Sequence, residues 1–141
     1  MTDLPLDAEG LLALTDIEAV WAVAPRVEPL EHDTRVLLFI GSGCPVCPHQ
    51  VRAAATVAAA SPRITLEIID VTMHPELASR YDIRSVPTTV IDDELFLVGA
   101  MPARRLADRI MERHGPDRER VLFASLMEAG RHDEASRRLA D

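Results

Sequence analysis

Along the first half of the chain, the spacing of hydrophobic positions changes from helical to continuous. In residues 10–24 the larger apolar side chains recur at helical spacing: Leu11, Leu14, Ile17 and Trp21. This pattern predicts one helix that stops before Pro25. A continuous apolar run at residues 35–40 is typical of a strand covered on both faces, and residues 64–71 predict the next strand. Between these two segments, the alanine-rich residues 45–60 predict a second helix.

The second half of the chain predicts shorter elements separated by proline, glycine and acidic residues. A short helix from Pro75 to Tyr81 precedes a β-branched strand at residues 86–91. The polar turn 92–94 leads into a returning strand at residues 95–98. These two strands therefore form an antiparallel hairpin.

Three helices complete the predicted structure. Residues 102–113 form an amphipathic helix with Leu106 and Ile110 on its inner face. Residues 118–129 and 133–140 predict a C-terminal hairpin of two short helices. The apolar seam between them consists of Val121, Leu122, Leu126 and Leu139.

The order of elements predicts an α/β fold. A helix between two strands of one sheet gives parallel pairing through a right-handed crossover. We therefore expect a mixed sheet flanked by helices, plus the C-terminal helical hairpin. Residues 1–34 form an N-terminal helix and connector, residues 35–114 the core, and residues 115–141 a helical appendage. In sheets of this kind, ligands bind at the carboxyl ends of the strands.

Composition and charge narrow the class of protein. The chain has 141 residues, of which 48% are hydrophobic, enough for one domain with a core. Its net charge is −8 and no basic patch stands out, which disfavours nucleic-acid binding. No apolar run approaches the ~20 residues of a membrane span. Residues 1–25 also lack the basic residues of a secretory signal. We therefore expect a cytoplasmic protein without membrane or nucleic-acid partners.

The candidate chemistry lies in Cys44 and Cys47, the only two cysteines of the chain. A thiol at a helix start meets unpaired N–H groups and the positive end of the helix dipole, which favour the nucleophilic thiolate. A zinc site is one alternative, but zinc usually takes four ligands and the five histidines are scattered. A purely structural disulfide is another, but so short a loop gains little stabilisation. We expect neither a metal nor a cofactor.

Several motifs in order resemble the thioredoxin superfamily. They are Cys44-Pro45-Val46-Cys47, Ile69-Asp70, the run from Tyr81 to Thr88, and Val98-Gly99-Ala100. Cys-Pro-Val-Cys-Pro-His and the sequence from Pro75 to Ala78 are similar to single units of the glutaredoxin-like protein disulfide oxidoreductases. The N-terminal domain of the flavoprotein partner of alkyl hydroperoxide reductase is a related possibility. The resemblance covers residues 35–113 and implies a thioredoxin-like fold.

The resemblance also implies roles for individual residues. Cys44 is the attacking cysteine and Cys47 the resolving one. The Val86–Pro87 bond is implied to be cis and to face the dithiol, so that the Val86 backbone is presented to an extended substrate chain. A trans bond at the start of a plain strand is the alternative. Pro45 is grouped with Val46, Val86 and Pro87 as a candidate substrate contact.

Departures from the patterns of thioredoxins and glutaredoxins affect the expected site. Leu38 occupies the position of a buried aspartate that accepts a proton in thioredoxins. Glu67, in the predicted strand 64–71, is the candidate replacement, because a partly buried carboxylate can accept the proton of the resolving thiol. An exposed or edge position is the alternative for Glu67. We expect His49 to face solvent. The glycine pair and acidic helix cap of glutaredoxins are not evident, which argues against glutathione dependence.

These inferences predict a thiol–disulfide oxidoreductase of the thioredoxin or glutaredoxin type. Its partners would be disulfide-containing proteins and an external reductase or dithiol donor, and its role would lie in cell redox homeostasis. Potentials of such enzymes run from ~−270 mV to ~−120 mV, so the sequence leaves the direction of electron flow open. The alternative is a binding or adaptor module that acts through its helical extensions. Residues 117–141 are also a candidate surface for a homodimer.

Overall fold

A computed structural model describes residues 8–131, 133, 134, 136 and 137. Its helices are α1 (Ala8–Ala13), α2 (Ile17–Val27), α3 (Cys47–Ala59), α4 (Pro75–Arg80), α5 (Ala103–Arg113) and α6 (Arg118–Glu128). Its strands are β1 (Thr34–Ile40), β2 (Ile64–Asp70), β3 (Thr88–Ile91) and β4 (Leu95–Val98). Within this described part of the chain, none of the helices has the length and apolar character that crossing a membrane requires.

The strands form one mixed sheet in the order β2-β1-β3-β4. β1 runs parallel to β2, with Thr34 opposite Ile64 and Ile40 opposite Asp70. β3 is antiparallel to both β1 and β4. The predicted α/β class and mixed sheet are therefore confirmed. Since β1 and β2 end at the same edge, the segment that follows β1 emerges at the carboxyl edge of both strands.

Successive side chains of β1 enter different cores on the two faces of the sheet. Val36 and Leu38 lie in the larger core, to which α3 and α5 contribute. Leu37 and Phe39 lie in a smaller core on the opposite face, which α6 helps to close. A strand buried on both faces accounts for the continuous apolar run in the sequence. The predicted inner-face residues of α5, Leu106 and Ile110, are fully buried.

The N-terminal region differs from the prediction of a single helix over residues 10–24. The helical backbone is interrupted between α1 and α2. The carboxylate of Asp16 accepts a hydrogen bond from the backbone N–H of Ala19 at 2.8 Å and caps α2. This cap satisfies one of the free N–H groups at the helix start. Pro25, expected to be a stop, lies inside α2.

The new start of α2 also changes which of its side chains face the protein. Val20, Val23 and Val27 are buried, whereas Trp21 is 67% exposed. The prediction that Trp21 shares the inner face with Leu11 is therefore wrong. Because the helix is interrupted, the side chains of α2 do not continue the rotation about the axis of α1. The 3.6-residue spacing therefore does not extend across residues 14–16.

In the C-terminal region, α6 is confirmed and is part of the protein's core. Leu122 and Leu126 are buried, and α6 packs on β4 and α5. Of the second predicted helix, at residues 133–140, the described residues with helical backbone are Asp133, Glu134, Ser136 and Arg137. The rest of that prediction, including Leu139, lies outside the described residues.

Candidate active site at the carboxyl edge of the sheet

Cys44 and Cys47 form a disulfide at the point where β1 leads into α3. Their Cα atoms are 5.4 Å apart. Cys47 is the first residue of α3 and is 4% exposed, whereas Cys44 lies in the preceding loop and is only partly buried. Cys44 is therefore the more accessible of the two cysteines.

Two glycines shape the loop between β1 and the cysteines. Gly43 has a φ of +75°, a left-handed conformation that glycine adopts without steric cost. At Gly41, a Cβ atom would lie 3.3 Å from Cγ2 of Val86 and 3.5 Å from Cγ2 of Val71. The missing side chain of Gly41 therefore lets the loop approach both neighbouring segments closely.

The helix that carries Cys47 begins later than the sequence suggested. Residues 45–46 form a turn, and Pro48, rather than Pro45, lies in the first helical turn. Pro48 is tolerated there because the first four N–H groups of a helix have no partner within the helix. Val46 occupies the N-cap position without a side-chain hydrogen bond. The positive end of α3 is therefore available to favour a thiolate at the dithiol.

The segment that directly precedes β3 also lies next to the dithiol. The Val86–Pro87 peptide bond is cis, and the Val86 carbonyl oxygen lies 3.9 Å from Sγ of Cys44. The Pro87 carbonyl accepts a hydrogen bond from the Gly99 N–H at 2.9 Å. The structure therefore brings together the cysteines and the Val86–Pro87 segment. Pro45 and Val46 are both exposed beside them, Val46 by 42%.

With this geometry established, comparison with known proteins identifies the family. Residues 34–112, more than half of the chain, match the protein-family model described as a thioredoxin domain. The chain belongs to the thioredoxin-domain family. It is also 34% identical over 80 residues to a thioredoxin from Methanocaldococcus jannaschii, covering 56% of this chain and 94% of that protein. The predicted membership of the thioredoxin superfamily is therefore confirmed.

Solved structures extend the comparison. The thioredoxin domain is similar to the N-terminal domain of the alkylhydroperoxide reductase AhpF from Enterococcus faecalis, with a TM-score of 0.58 and 25% identity over 63% of this chain. A protein disulfide oxidoreductase from Aeropyrum pernix shares the fold, with a TM-score of 0.53 and 22% identity over 74% of this chain. This chain covers 42% of each of those chains. The thioredoxin-domain match, the thioredoxin relative and the Cys44–Cys47 pair support thiol–disulfide oxidoreductase activity.

The structure does not bring Glu67 to the dithiol of this thioredoxin domain. Glu67 lies opposite Leu37 in the parallel pairing of β1 and β2, so its side chain shares the face of the smaller core. The helix that begins with Cys47 packs on the other face. The Glu67 side chain is 16% exposed, and its carboxylate lies 3.8 Å from Nε of Arg35. This placement does not support the predicted role as proton acceptor for Cys47.

The sequence analysis missed Gln50, which is fully buried one helical turn after Cys47. Its side-chain amide donates a hydrogen bond to the Thr89 hydroxyl at 3.3 Å and accepts one from the Met101 N–H at 2.8 Å. Gln50 thereby joins the start of α3 to β3 and to the loop before α5. The available signal was its spacing of four from Ala54, which places a polar group on the inner face of a helix. His49 beside it is exposed.

Proposed function

We propose that this thioredoxin domain reduces or forms disulfides in protein substrates through Cys44 and Cys47. The observation that carries the proposal is the redox-competent pair at the start of α3, directly beside the Val86 backbone. Two cysteines in a single motif suit a reducing compartment. We accordingly propose a role in cytoplasmic redox homeostasis.

In the first step, the Cys44 thiolate attacks one sulfur of the substrate disulfide. A bond forms between Cys44 Sγ and that sulfur while the substrate S–S bond breaks, and the other substrate sulfur leaves as a thiolate. The partial exposure of Cys44 and its position at the positive end of α3 favour this role for Cys44 over Cys47.

In the second step, Cys47 releases the substrate. The Cys47 thiol gives up its proton to solvent or to the departing sulfur, a bond forms between Cys47 Sγ and Cys44 Sγ, and the bond between Cys44 Sγ and the substrate sulfur breaks. The substrate has then gained two electrons and, with one proton from Cys47 and one from solvent, two thiols, and Cys44–Cys47 has become the disulfide seen in the structure. An external reductase or dithiol donor returns the pair to the thiol form, and the reverse sequence oxidises a substrate dithiol.

The Val86 backbone provides the contact for a protein substrate. An extended chain laid along Val86–Pro87 would pair its backbone with Val86, in the strand-addition mode used by many peptide-binding sheets. Such pairing places a substrate sulfur next to Cys44, since the Val86 carbonyl is only 3.9 Å from Sγ. Pro45 and Val46, which follow Cys44 directly, offer exposed surface for further contacts with a substrate.

Insulin reduction tests the proposal. With dithiothreitol as electron donor, the wild-type protein should accelerate the precipitation of insulin chains, and Cys44→Ser should return the rate to background. Ser42→Ala, an exposed neighbour in the same loop, is the matched control and should keep the wild-type rate. Cys47→Ser should accumulate a mixed disulfide with substrate that mass spectrometry detects. Equal rates for wild type and Cys44→Ser would contradict the proposal.

The adaptor hypothesis has less support, since α6 uses Leu122 and Leu126 within its own chain. A homodimer through residues 117–141 stays a prediction. Met127, 41% exposed on α6, offers a direct test. Light scattering of the full chain should show a dimer that Met127→Glu dissociates; a wild-type monomer would contradict it.

A further inference from the structure

The loop that leads to Val86 is tied to the C-terminal part of the chain by a buried arginine. Arg131 follows α6 and is only 7% exposed. Its Nη2 donates hydrogen bonds to the backbone carbonyls of Tyr81 and Asp82, the second at 2.6 Å. These residues begin the loop 81–87, which carries the Val86–Pro87 bond. Arg131 therefore holds the backbone of this loop directly.

Other contacts fix the orientation of the Arg131 guanidinium. Its carbon Cζ lies 3.9 Å from the centre of the Phe96 ring on β4. Its Nη1 donates a hydrogen bond to the Glu134 carboxylate at 3.0 Å and lies 3.9 Å from that of Asp82. A buried guanidinium is costly unless it is paired and hydrogen-bonded, and these partners satisfy it in one arrangement. The two donors that face the loop are therefore held from several sides.

Side-chain contacts add to the backbone hydrogen bonds of this loop. Residues 82–87 lie between α4 and β3, outside any helix or strand. At the start of the loop, the Asp82 N–H donates to the Ser79 carbonyl at 3.0 Å and the Ile83 N–H to the Ala78 carbonyl at 2.8 Å. A second link joins the loop to the C-terminal segment, since Nη1 of Arg84 donates to the Gly130 carbonyl at 3.3 Å. Arg131 and Arg84 therefore tie the segment that leads to Val86 to the end of α6.

We propose that Arg131 is a positioning residue for disulfide exchange. It fixes loop 81–87 so that the Val86 backbone faces Cys44 and receives an extended substrate chain; this role rests on the proposed function. Arg131 lies beyond residues 34–112, which match the thioredoxin domain. The C-terminal segment thus supplies a support for the substrate-binding loop from outside the matched domain.

A purely structural role of Arg131 predicts a different effect on activity. If Arg131 only held the C-terminal segment on the sheet, its loss would affect all substrates alike. A positioning role concerns substrates whose backbone pairs with Val86. The small aromatic disulfide 5,5′-dithiobis(2-nitrobenzoate) needs only an accessible Cys44 thiolate, so it reports on the dithiol without the loop.

The test measures kcat/KM of Arg131→Met for insulin and for this small disulfide. Methionine keeps an unbranched side chain but removes the donors. We expect about a tenfold loss for insulin, because part of the binding energy of the substrate must then order a loop that these charge-assisted hydrogen bonds no longer hold. The small disulfide should change by less than about twofold, within the scatter of single substitutions. Arg131→Lys should recover part of the insulin activity, because its ammonium retains a donor.

Val27→Ala is the structural control. Val27 lies on α2, is 1% exposed and belongs to the larger core, so its truncation lowers stability without removing a contact of Arg131 or loop 81–87. It should lower the urea midpoint while keeping the ratio of the two activities. The proposal is overturned if Arg131→Met lowers both activities in the same proportion.

Two further outcomes remain decisive. If Arg131→Met does not fold, Arg131→Lys replaces it, and amide hydrogen exchange at residues 82–86 must be faster than in the wild type; unchanged exchange overturns the proposal. If the wild type itself is inactive on insulin, the proposed function fails. The exchange measurement then still shows whether Arg131 holds the loop.

Discussion

The two ends of the sheet are held together by different kinds of interaction. At the dithiol end, the contacts that join the Cys44 loop to its neighbours come from groups without formal charge, whereas the charged Arg131 holds the start of loop 81–87. Gly41 packs closely on Val86, and the Val86 carbonyl faces the sulfur of Cys44. The buried Gln50 amide joins the start of α3 to the loop before α5.

At the other end of β1, charged groups converge on the turn between β3 and β4. The Asp92 carboxylate accepts a hydrogen bond from the Arg35 N–H at 2.8 Å. It also lies 3.5 Å from Nε2 of His114 and 3.8 Å from Nη2 of Arg113. The same His114 nitrogen lies 3.1 Å from the hydroxyl of the buried Thr34.

The dithiol and the cluster of charged side chains therefore lie at opposite ends of the same sheet. A fixed charge next to a thiol would change its pKa, because opposite charges favour the thiolate and like charges oppose it. At the dithiol, the positive end of α3 favours a thiolate on the neighbouring Cys44. We therefore expect changes at the neutral end to act through packing and hydrogen bonding. Changes at the charged end should act on stability in a pH-dependent way.

The largest stability effect is expected from Gln50→Leu at the neutral end. The substitution leaves the Thr89 hydroxyl and the Met101 N–H without their buried partner. Since an unsatisfied buried polar group costs about 1–3 kcal/mol, we expect a loss of roughly 2 kcal/mol in the free energy of unfolding. Urea denaturation measures it. His49→Leu, its exposed neighbour on α3, should change stability by less than about 0.5 kcal/mol. Equal stabilities for the two variants would show that the Gln50 bonds contribute nothing.

A smaller effect is expected from Asp92→Asn at the charged end. Asparagine keeps the shape, accepts the Arg35 N–H and tolerates the φ of +51° at this position. It removes the charge that faces Arg113 and His114, whose side chains are 12% and 13% exposed. We expect a loss of about 1 kcal/mol in urea unfolding, the size of a partly buried charge-assisted contact.

The exposed pair at the same end provides the control for Asp92→Asn. Asp33 lies 3.4 Å from Arg63, with side chains 90% and 50% exposed. Asp33→Asn should therefore change stability by less than about 0.5 kcal/mol, as for most surface ion pairs. A loss at Asp92 no greater than that at Asp33 would contradict the difference between buried and exposed charge.

Several features of the fold followed from the sequence because local patterns determine them. The apolar run at residues 35–40 predicts a strand buried on both faces, and residues 36–39 of β1 are buried. The start of α3 was harder to predict, since proline suits both a turn and a first helical turn. Gln50 was missed for another reason: its spacing from Ala54 indicates the inner face of α3, but its partners Thr89 and Met101 are distant in sequence.

The misplaced role of Glu67 and the omission of Arg131 have other causes. The face on which Glu67 lies depends on its register with Leu37, and a shift of one residue would move it to the other face. Arg131 donates a hydrogen bond to the backbone carbonyl of Tyr81, which lies 50 positions earlier in the chain. Tyr81 begins a loop, and a loop has no repeating pattern from which such a contact could be predicted. Neither the face of Glu67 nor the contact of Arg131 can be predicted from a single sequence, because both result from tertiary packing.

The smallest of the three stability effects concerns the titration of His114. Burial lowers the pKa of His114 from its ordinary value of 6.5, and Arg113 lowers it further. Asp92 opposes this shift, while the stacked His32, 5.2 Å away, and Arg118 add to it. The folded protein therefore holds a proton on His114 less readily than the unfolded chain does.

The sign of the pH dependence follows from this difference. As the pH falls below about 6.5, the unfolded chain binds a proton at His114 before the folded protein does, so the free energy of unfolding decreases until the folded pKa is passed. Urea unfolding at about pH 7.5 and about pH 5.5 should show a larger loss for wild type than for His114→Gln, which cannot titrate there. The same slope in both proteins would contradict the inference. The His114→Gln substitution should leave the rate of insulin reduction at pH 7.5 unchanged, because His114 lies at the opposite end of β1 from Cys44.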